Sequence, residues 1–118
     1  EFIRRRRAEL GETVGKYADF AIMTAQNPGY EPLENIFRDI HVTLDPTGTP
    51  SADIPDRAEA IRFAFKMAQK GDYIAVIGKG QEDTEFVNGR YYPFSDKKEI
   101  LEAARELGWS NTVNGTDN

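Results

Sequence analysis

The sequence contains no cysteine, a single histidine and no long apolar run. The absence of cysteine excludes disulfides, a thiolate nucleophile and zinc–sulfur sites within these 118 residues. With His41 as the only histidine, a metal centre is disfavoured, and we expect His41 at the surface or at a helix end. No apolar segment reaches the roughly 20 residues that span a bilayer, and no signal-peptide pattern is present, so we expect a cytoplasmic protein without membrane contact.

Charge and composition narrow the class further. The formal net charge of −5 argues against a general nucleic-acid binder, because such proteins usually carry a basic face. Apolar residues make up 39% of the chain and charged residues 30%, a balance that favours one globular domain with a well-solvated surface, or part of a larger protein. The chain begins at Glu1 without a methionine, from which we expect a fragment.

Apolar residues recur at helical spacing in four segments, near residues 8–18, 33–40, 57–68 and 96–107. We expect Asp56 to cap the third helix. Asp96 and Glu99 have the spacing of a capping box at the start of the fourth. Between the second and third helices, residues 43–55 contain three prolines and a glycine, which predicts a connecting loop.

Two apolar runs predict buried strands, over residues 19–24 and 73–77. Asn88-Gly89 lies between two aromatic-rich runs, which predicts a hairpin near residues 84–94. The order of these elements predicts an α/β fold with a Rossmann-like, mainly parallel sheet flanked by helices. The two apolar strands should be neighbours or near neighbours, and the hairpin should form an antiparallel edge.

Ligands of parallel sheets bind beyond the carboxyl ends of the strands, where this chain has the loops 24–32 and 78–84. The second loop begins Gly-Lys-Gly-Gln-Glu (78–82), whose glycines permit close backbone approach. Because it matches neither a P-loop nor a dinucleotide fingerprint, the stretch fits a structural turn as well as a ligand loop. Asn27 precedes a proline in the first loop, a pair that is typical of turns.

Two other features have simple structural interpretations. The four arginines at residues 4–7 are typical of a solvated charged surface, although guanidinium groups also bind carboxylates and phosphates. Trp109 is expected to be a packing anchor rather than a binding platform.

Taken together, five short motifs resemble the C-terminal domain of the Mur ligases. They are RRAELG (6–11), TAQNPGYEP (24–32), DRAEAI (56–61), GKGQE (78–82) and FSD (94–96). Their order and spacing are compatible with that family over residues 4–109. Within the family, the pattern is similar to the tripeptide synthetases, which add the third residue of the peptidoglycan stem peptide.

The resemblance implies part of an ATP-dependent, amide-forming ligase of peptidoglycan synthesis. Such enzymes convert the terminal carboxylate of UDP-MurNAc-dipeptide to an acyl phosphate, which the amine of an incoming amino acid attacks. ATP and Mg²⁺ are implied to bind mainly in a central domain, and the UDP group in an amino-terminal domain. This fragment alone is therefore expected to hold no cofactor, to contribute no catalytic residue and to be inactive by itself.

The same resemblance assigns residues 1–109 to the amino-acid-binding domain, without its first strand and helix. Residues 110–118 are expected to be a flexible tail. Two alternatives stay open: a non-catalytic binding module of Mur-ligase descent, and a ligase domain similar to folylpolyglutamate synthetase.

Four residues match the family's amino-acid contacts. Arg7 matches the arginine that binds the incoming α-carboxylate, and Asn27 matches the asparagine of an Asp-Asn-Pro-Arg motif. Gly78 and Glu82 match the glycine and glutamate that contact the side-chain end of a diamino acid. A glycine carbonyl and a carboxylate suit an ammonium group, and an arginine suits a carboxylate.

Three positions depart from the family pattern. Gly29 stands where enzymes that select meso-diaminopimelate carry an arginine for the distal carboxylate, which favours a lysine-like diamino acid. Gln26 replaces an aspartate that would help to neutralise a lysine ammonium, so ornithine or another amine-bearing residue stays open. Gln81 replaces the histidine of the family's Gly-Lys-Gly-His-Glu motif.

Overall fold

A computed structural model describes the chain over residues 2–25, 31–78, 84–87 and 90–109. In chain order its elements are α1 (Phe2–Tyr17), β1 (Ala21–Met23), α2 (Leu33–Leu44), a 3-10 turn (Asp45–Thr47), β2 (Ser51–Asp53), α3 (Arg57–Met67), β3 (Thr84–Val87), β4 (Arg90–Pro93) and α4 (Asp96–Glu106). Across these stretches, no helix has both the length and the apolar character needed to cross a membrane.

Strands β1 and β2 pair in parallel, with Ala21 opposite Ser51 and Met23 opposite Asp53. Helix α2 supplies the crossover that two parallel strands require. The predicted class, a parallel sheet flanked by helices, is confirmed by this βαβ unit.

The partner of β1 differs from the prediction, because β2 lies within residues 43–55, where we expected only a loop. A strand of three residues is too short to show an alternating pattern, and its flanking prolines look like loop signals. Proline lacks an N–H but keeps its carbonyl. The Pro50 carbonyl accepts a hydrogen bond from the Ala21 N–H at 3.0 Å, so it extends the contact with β1.

The predicted strand over residues 73–77 is not formed in the described structure. Its side chains do alternate in burial: Ile74 and Val76 pack inward, whereas Tyr73 is 98% and Ile77 61% exposed. The prediction of a buried strand is therefore wrong, because only alternate residues of this apolar run pack inward and no ladder forms along it. A strand also needs a hydrogen-bonded neighbour, and the described residues include none beside this segment.

Strands β3 and β4 pair antiparallel, with Val87 opposite Arg90, which confirms the predicted hairpin. Within the part of the chain that the structure describes, the hairpin is a two-stranded sheet of its own, so its predicted place as the antiparallel edge of the parallel sheet is wrong.

Two apolar clusters form the interior. The first core joins α1, α2 and β1 and contains Ala21, Met23, Phe37, Ile40 and Leu44, with Val14, Leu33 and Ile36 packed against it. The second core joins α3, α4 and the segment 73–77 and contains Ile61, Phe65, Ala103 and Ala104, with Ile74, Val76, Phe94 and Ile100 packed against it. Trp109 stacks on Phe65 with ring centroids 4.9 Å apart, as expected for a packing anchor.

Helix α1 lies unusually close to α2 and the turn after it. A β-carbon at Gly11 would collide with the Ile40 carbonyl, and one at Gly15 would collide with the Thr47 side chain. Only glycine allows this approach. The contact fixes the separation between α1 and α2. It therefore places Arg7, one turn before Gly11, beside the first turns of α2.

The helix caps were predicted correctly for α3 and wrongly for α4. The Asp56 carboxylate caps α3 by accepting a hydrogen bond from the Glu59 N–H at 3.1 Å. Helix α4 is capped by Ser95, whose hydroxyl accepts from the Lys98 N–H at 3.3 Å. Asp96 is the first helical residue, and its carboxylate is buried against another element, so it does not start a capping box.

Candidate functional site

Arg7 lies in α1 with its side chain only 15% exposed, unlike the solvated run predicted for residues 4–7. Its Nη2 donates to Glu31 Oε1 at 2.6 Å, and its Nη1 donates to Glu31 Oε2 at 3.1 Å. Nη1 also donates to Asp39 Oδ2 at 2.8 Å. The guanidinium is therefore bound by two carboxylates, one of which it meets with two nearly parallel bonds.

This pairing changes the acidity of both partners. The hydrogen bond with Glu31 is the main reason that the pKa of Arg7 is raised, and the same bond lowers the pKa of the Glu31 carboxyl. Both groups therefore stay charged at neutral pH. The contact with Glu31 has the two-bond geometry in which a guanidinium binds a carboxylate, so a free carboxylate could bind here in place of Glu31.

The other predicted contacts are only partly described. Gly78 has φ +114°, a backbone conformation that favours glycine and explains the residue at this turn. Asn27 and Glu82, together with the specificity positions Gln26 and Gly29, lie outside the described residues. Their assignments stay predictions.

The structure adds a buried cation that sequence reasoning did not single out. Arg57, at the start of α3, is 4% exposed, and so is Asp96, at the start of α4. Arg57 Nε donates to Asp96 Oδ1 and Nη2 donates to Oδ2, each at 2.7 Å. The carboxylate also lies at the positive end of the α4 dipole, which further favours its charge.

The same guanidinium reaches two main-chain carbonyls. Nη1 donates to Ala25 O at 2.8 Å, and Nη2 donates to Ile77 O at 2.9 Å. Ala25 follows β1 and comes directly before Gln26 and Asn27 in the sequence. Ile77 comes directly before Gly78. The two segments that carry the predicted contacts therefore begin at carbonyls bound by one side chain.

Two of the five family motifs contained these residues, DRAEAI with Arg57 and FSD with Asp96. The sequence pattern predicts only a cap for Asp96 and assigns no binding or positioning role to Arg57. A signal was therefore present in the sequence, but the spatial partners of Arg57 were not visible in it.

His41 lies in the last turn of α2, as expected for a helix-end histidine. Its Nδ1 is 2.6 Å from Asp45 Oδ1, and its Nε2 is 2.8 Å from Asp53 Oδ1. These hydrogen bonds, with Asp45 the larger effect, raise the pKa of His41. Among residues 2–25, 31–78, 84–87 and 90–109, no three His, Asp or Glu side chains are placed to bind a metal ion.

Known proteins share both the sequence pattern and the fold. The family described as "Mur ligase, glutamate ligase domain" matches residues 2–80. The UDP-N-acetylmuramoyl-L-alanyl-D-glutamate–2,6-diaminopimelate ligase of Caldanaerobacter subterraneus is 38% identical over 103 residues, which cover 87% of this chain and 21% of the relative. The ligase of the same name from Aquifex aeolicus is 40% identical over 101 residues, 84% of this chain and 20% of the relative.

A solved structure of a ligase with this name superposes with a TM-score of 0.69 at 24% identity, and covers 91% of this chain and 28% of that one. This likeness supports the fold. The chain spans about a fifth of the length of the curated relatives it matches.

Proposed function

The chain belongs to the Mur ligase family, and we propose that it is the amino-acid-binding domain of an ATP-dependent ligase that extends a UDP-MurNAc-peptide in peptidoglycan synthesis. The observation that carries the proposal is the junction at Arg57. One guanidinium binds the Ala25 and Ile77 carbonyls, so the segments with Asn27 and Glu82 start side by side. A site at this end of the sheet is where α/β folds place their ligands.

In the proposed site, the two ends of the amino acid bind groups of opposite charge. Arg7 binds the α-carboxylate, which replaces Glu31 in the two-bond contact that the guanidinium makes in this structure. Gly78 and Glu82 face the distal ammonium, while Asn27 contacts the amino acid from the other segment. Each contact pairs a substrate charge with a group of opposite charge or dipole.

Lysine, or a similar diamino acid with a single carboxylate, is the substrate that the sequence favours. With Gly29 in place of an arginine, a distal carboxylate loses a charge-assisted bond worth about 1.5–3 kcal/mol, roughly ten- to a hundredfold in affinity. The names of the relatives favour a second candidate, since both are ligases for 2,6-diaminopimelate. The two candidates differ only in the group at the tip of the side chain.

ATP and Mg²⁺ are assigned to the central domain of the proposed ligase, and the UDP group to its amino-terminal domain. This assignment is supported by the sequence, since the 118 residues contain no P-loop motif. ATP would supply the activated carboxylate, whereas this chain would bind and orient the amine that attacks it.

The test is ATP-dependent ligation by the complete enzyme that carries this chain. UDP-MurNAc-dipeptide is offered with L-lysine, L-ornithine or meso-diaminopimelate, and the extended nucleotide-peptide and ADP are measured. We expect ligation, with lysine or ornithine used better than meso-diaminopimelate. Ligation of none of them would favour the non-catalytic module, and glutamate addition to a folate would favour the synthetase alternative.

A further inference from the structure

Arg57 joins four parts of the fold through four donated hydrogen bonds. Two of these bonds go to the Asp96 carboxylate, one to the Ala25 carbonyl and one to the Ile77 carbonyl. The side chain itself extends from the first turn of α3. The start of α3, the start of α4, the end of β1 and the end of the segment 73–77 therefore meet at a single buried group.

We propose that Arg57 is a positioning residue for the amino acid, an inference that rests on the ligase function proposed above. By binding the Ala25 and Ile77 carbonyls, the guanidinium sets the separation between the segment with Asn27 and the segment with Gly78 and Glu82. That separation determines whether both ends of one amino acid are contacted at once. Asp96 orients the guanidinium and leaves its other N–H groups directed at the two carbonyls.

The chemistry of the side chain supports this role. A guanidinium is rigid and planar, with five N–H donors in a fixed arrangement, so its two bonds to Asp96 also fix the directions of the remaining donors. A lysine side chain has one nitrogen on a flexible stem and cannot reproduce the two-bond contact with Asp96 together with the bonds to both carbonyls. The two targets are main-chain atoms, so Arg57 fixes the backbone from which both segments continue.

Stability alone does not require a buried ion pair here. Burying two charges carries a desolvation penalty, and an apolar pair of similar volume is often as stable or more stable. Helices α3 and α4 are also linked by Arg62, which bonds Glu99 and donates to Glu106 Oε1 at 3.1 Å. Arg62 makes this link from a partly exposed position, and its side-chain bonds go to Glu99 and Glu106 rather than to the Ala25 or Ile77 carbonyl.

The experiment compares Arg57→Met, Arg57→Lys and the double variant Arg57→Met/Asp96→Leu in the complete ligase, with Arg62→Met as the matched control. The Michaelis constants for the amino acid, ATP and UDP-MurNAc-dipeptide are measured beside the thermal unfolding midpoint. We expect each Arg57 variant to raise the amino-acid KM roughly ten- to a hundredfold, because small displacements of binding groups have effects of this size. The other two constants should stay within about twofold of wild type, since positioning acts on the amino acid alone.

The double variant separates positioning from stability. It should regain much of the unfolding midpoint that Arg57→Met loses, while its amino-acid KM stays raised. Arg62→Met should lower the midpoint and leave the amino-acid KM unchanged.

The inference would be overturned if the double variant recovered both the unfolding midpoint and the wild-type amino-acid KM. It would also be overturned if Arg62→Met raised the amino-acid KM as much as the Arg57 variants do. Should Arg57→Met fail to fold, Arg57→Lys and the double variant give the same decision. A wild-type enzyme that ligates no amino acid would refute the proposed function itself, before any variant is compared.

Discussion

Arg7 and Glu31 form a two-bond ion pair, with Nη2–Oε1 at 2.6 Å and Nη1–Oε2 at 3.1 Å, although they are 24 positions apart in the sequence. Of the two carboxylates on Arg7, Glu31 is the more exposed, at 38% against 19% for Asp39. A substrate carboxylate that binds Arg7 would therefore replace Glu31 and leave Asp39 in place.

Arg7→Ala and Glu31→Gln should have opposite effects on amino-acid binding by the complete ligase. Removal of Arg7 loses a charge-assisted interaction of about 1.5–3 kcal/mol and should raise the amino-acid KM roughly ten- to a hundredfold. Glu31→Gln removes a competing anion and should leave that KM equal or lower. The control is Arg38→Ala on α2, since Arg38 is exposed and donates to Asn35. A KM raised equally by Glu31→Gln would contradict substrate binding at Arg7.

Gly29→Arg should shift preference toward meso-diaminopimelate, because it places a cation where that substrate's distal carboxylate would lie. Glu82→Gln should weaken the use of lysine, since the proposed assignment places this anion against the substrate ammonium. The ratio of kcat/KM for lysine and meso-diaminopimelate measures both effects. A wild-type enzyme that prefers meso-diaminopimelate, or is indifferent to Glu82→Gln, would show that the assignment of this pocket is wrong.

His41 should make stability fall as pH rises above about 6.5, the ordinary pKa of histidine. Its pKa is raised in the folded chain, chiefly by Asp45 and then by Asp53. The stabilisation is therefore complete below the unfolded pKa of about 6.5 and is lost as pH rises through the folded pKa. Urea unfolding of the 118-residue chain between about pH 5.5 and 9 measures it, above the range in which carboxylates titrate. His41→Gln should remove this pH dependence of the unfolding free energy, and Asp45→Asn should reduce it. An unchanged pH dependence in His41→Gln would mean that other groups cause it.

Gly11→Ala should destabilise the chain more than Gly15→Ala. The new methyl group at Gly11 would lie 2.3 Å from the Ile40 carbonyl oxygen in the main chain of α2. At Gly15 it would meet only Thr47 side-chain atoms, of which Oγ1 and Cγ2 can move by rotation, whereas Cβ, at 2.9 Å, requires a small shift of the turn after α2. Overpacking of this kind costs about 1–3 kcal/mol, of which the better helix propensity of alanine returns about 1 kcal/mol. The control is Thr13→Ala, at an exposed position of α1. Chemical denaturation that ranks Gly15→Ala as the worse variant would contradict the close contact.

Ser95→Ala and Asp96→Ala should differ in stability although the residues are adjacent. Loss of the Ser95 cap should cost about 1 kcal/mol. Loss of Asp96 leaves the buried Arg57 without its partner and should cost about 3–5 kcal/mol. Equal unfolding free energies for the two variants would mean that Asp96 acts only at the helix end.

Local patterns were enough to predict much of the fold. The helices follow from apolar spacing, the cap of α3 from Asp56, and the hairpin from Asn88-Gly89, because each depends on residues close together in the sequence. Strand β2 was missed because its identity depends on the parallel partner β1 rather than on its own three residues. The strand predicted over residues 73–77 does not form for a related reason, since an apolar run does not by itself supply a neighbouring strand to pair with.

The candidate site was predictable in position but not in its supporting contacts. Resemblance located the segments around Asn27 and Glu82, and the structure brings their starting residues together. The pairing of Arg57 with Asp96 spans 39 positions, and its bonds to Ala25 and Ile77 span 32 and 20. No periodicity or local motif reports contacts at such separations.

The Arg57–Asp96 pair also limits how this domain can change over generations. Replacement of one partner alone passes through an unpaired buried charge, with a penalty of about 3–5 kcal/mol against the roughly 5–15 kcal/mol that stabilise a typical domain. A substitution at only one of the two positions would therefore destabilise most sequences too much for the domain to stay folded. Among functional descendants, positions 57 and 96 should vary together or stay fixed, whereas the exposed charges on the same helices should vary independently.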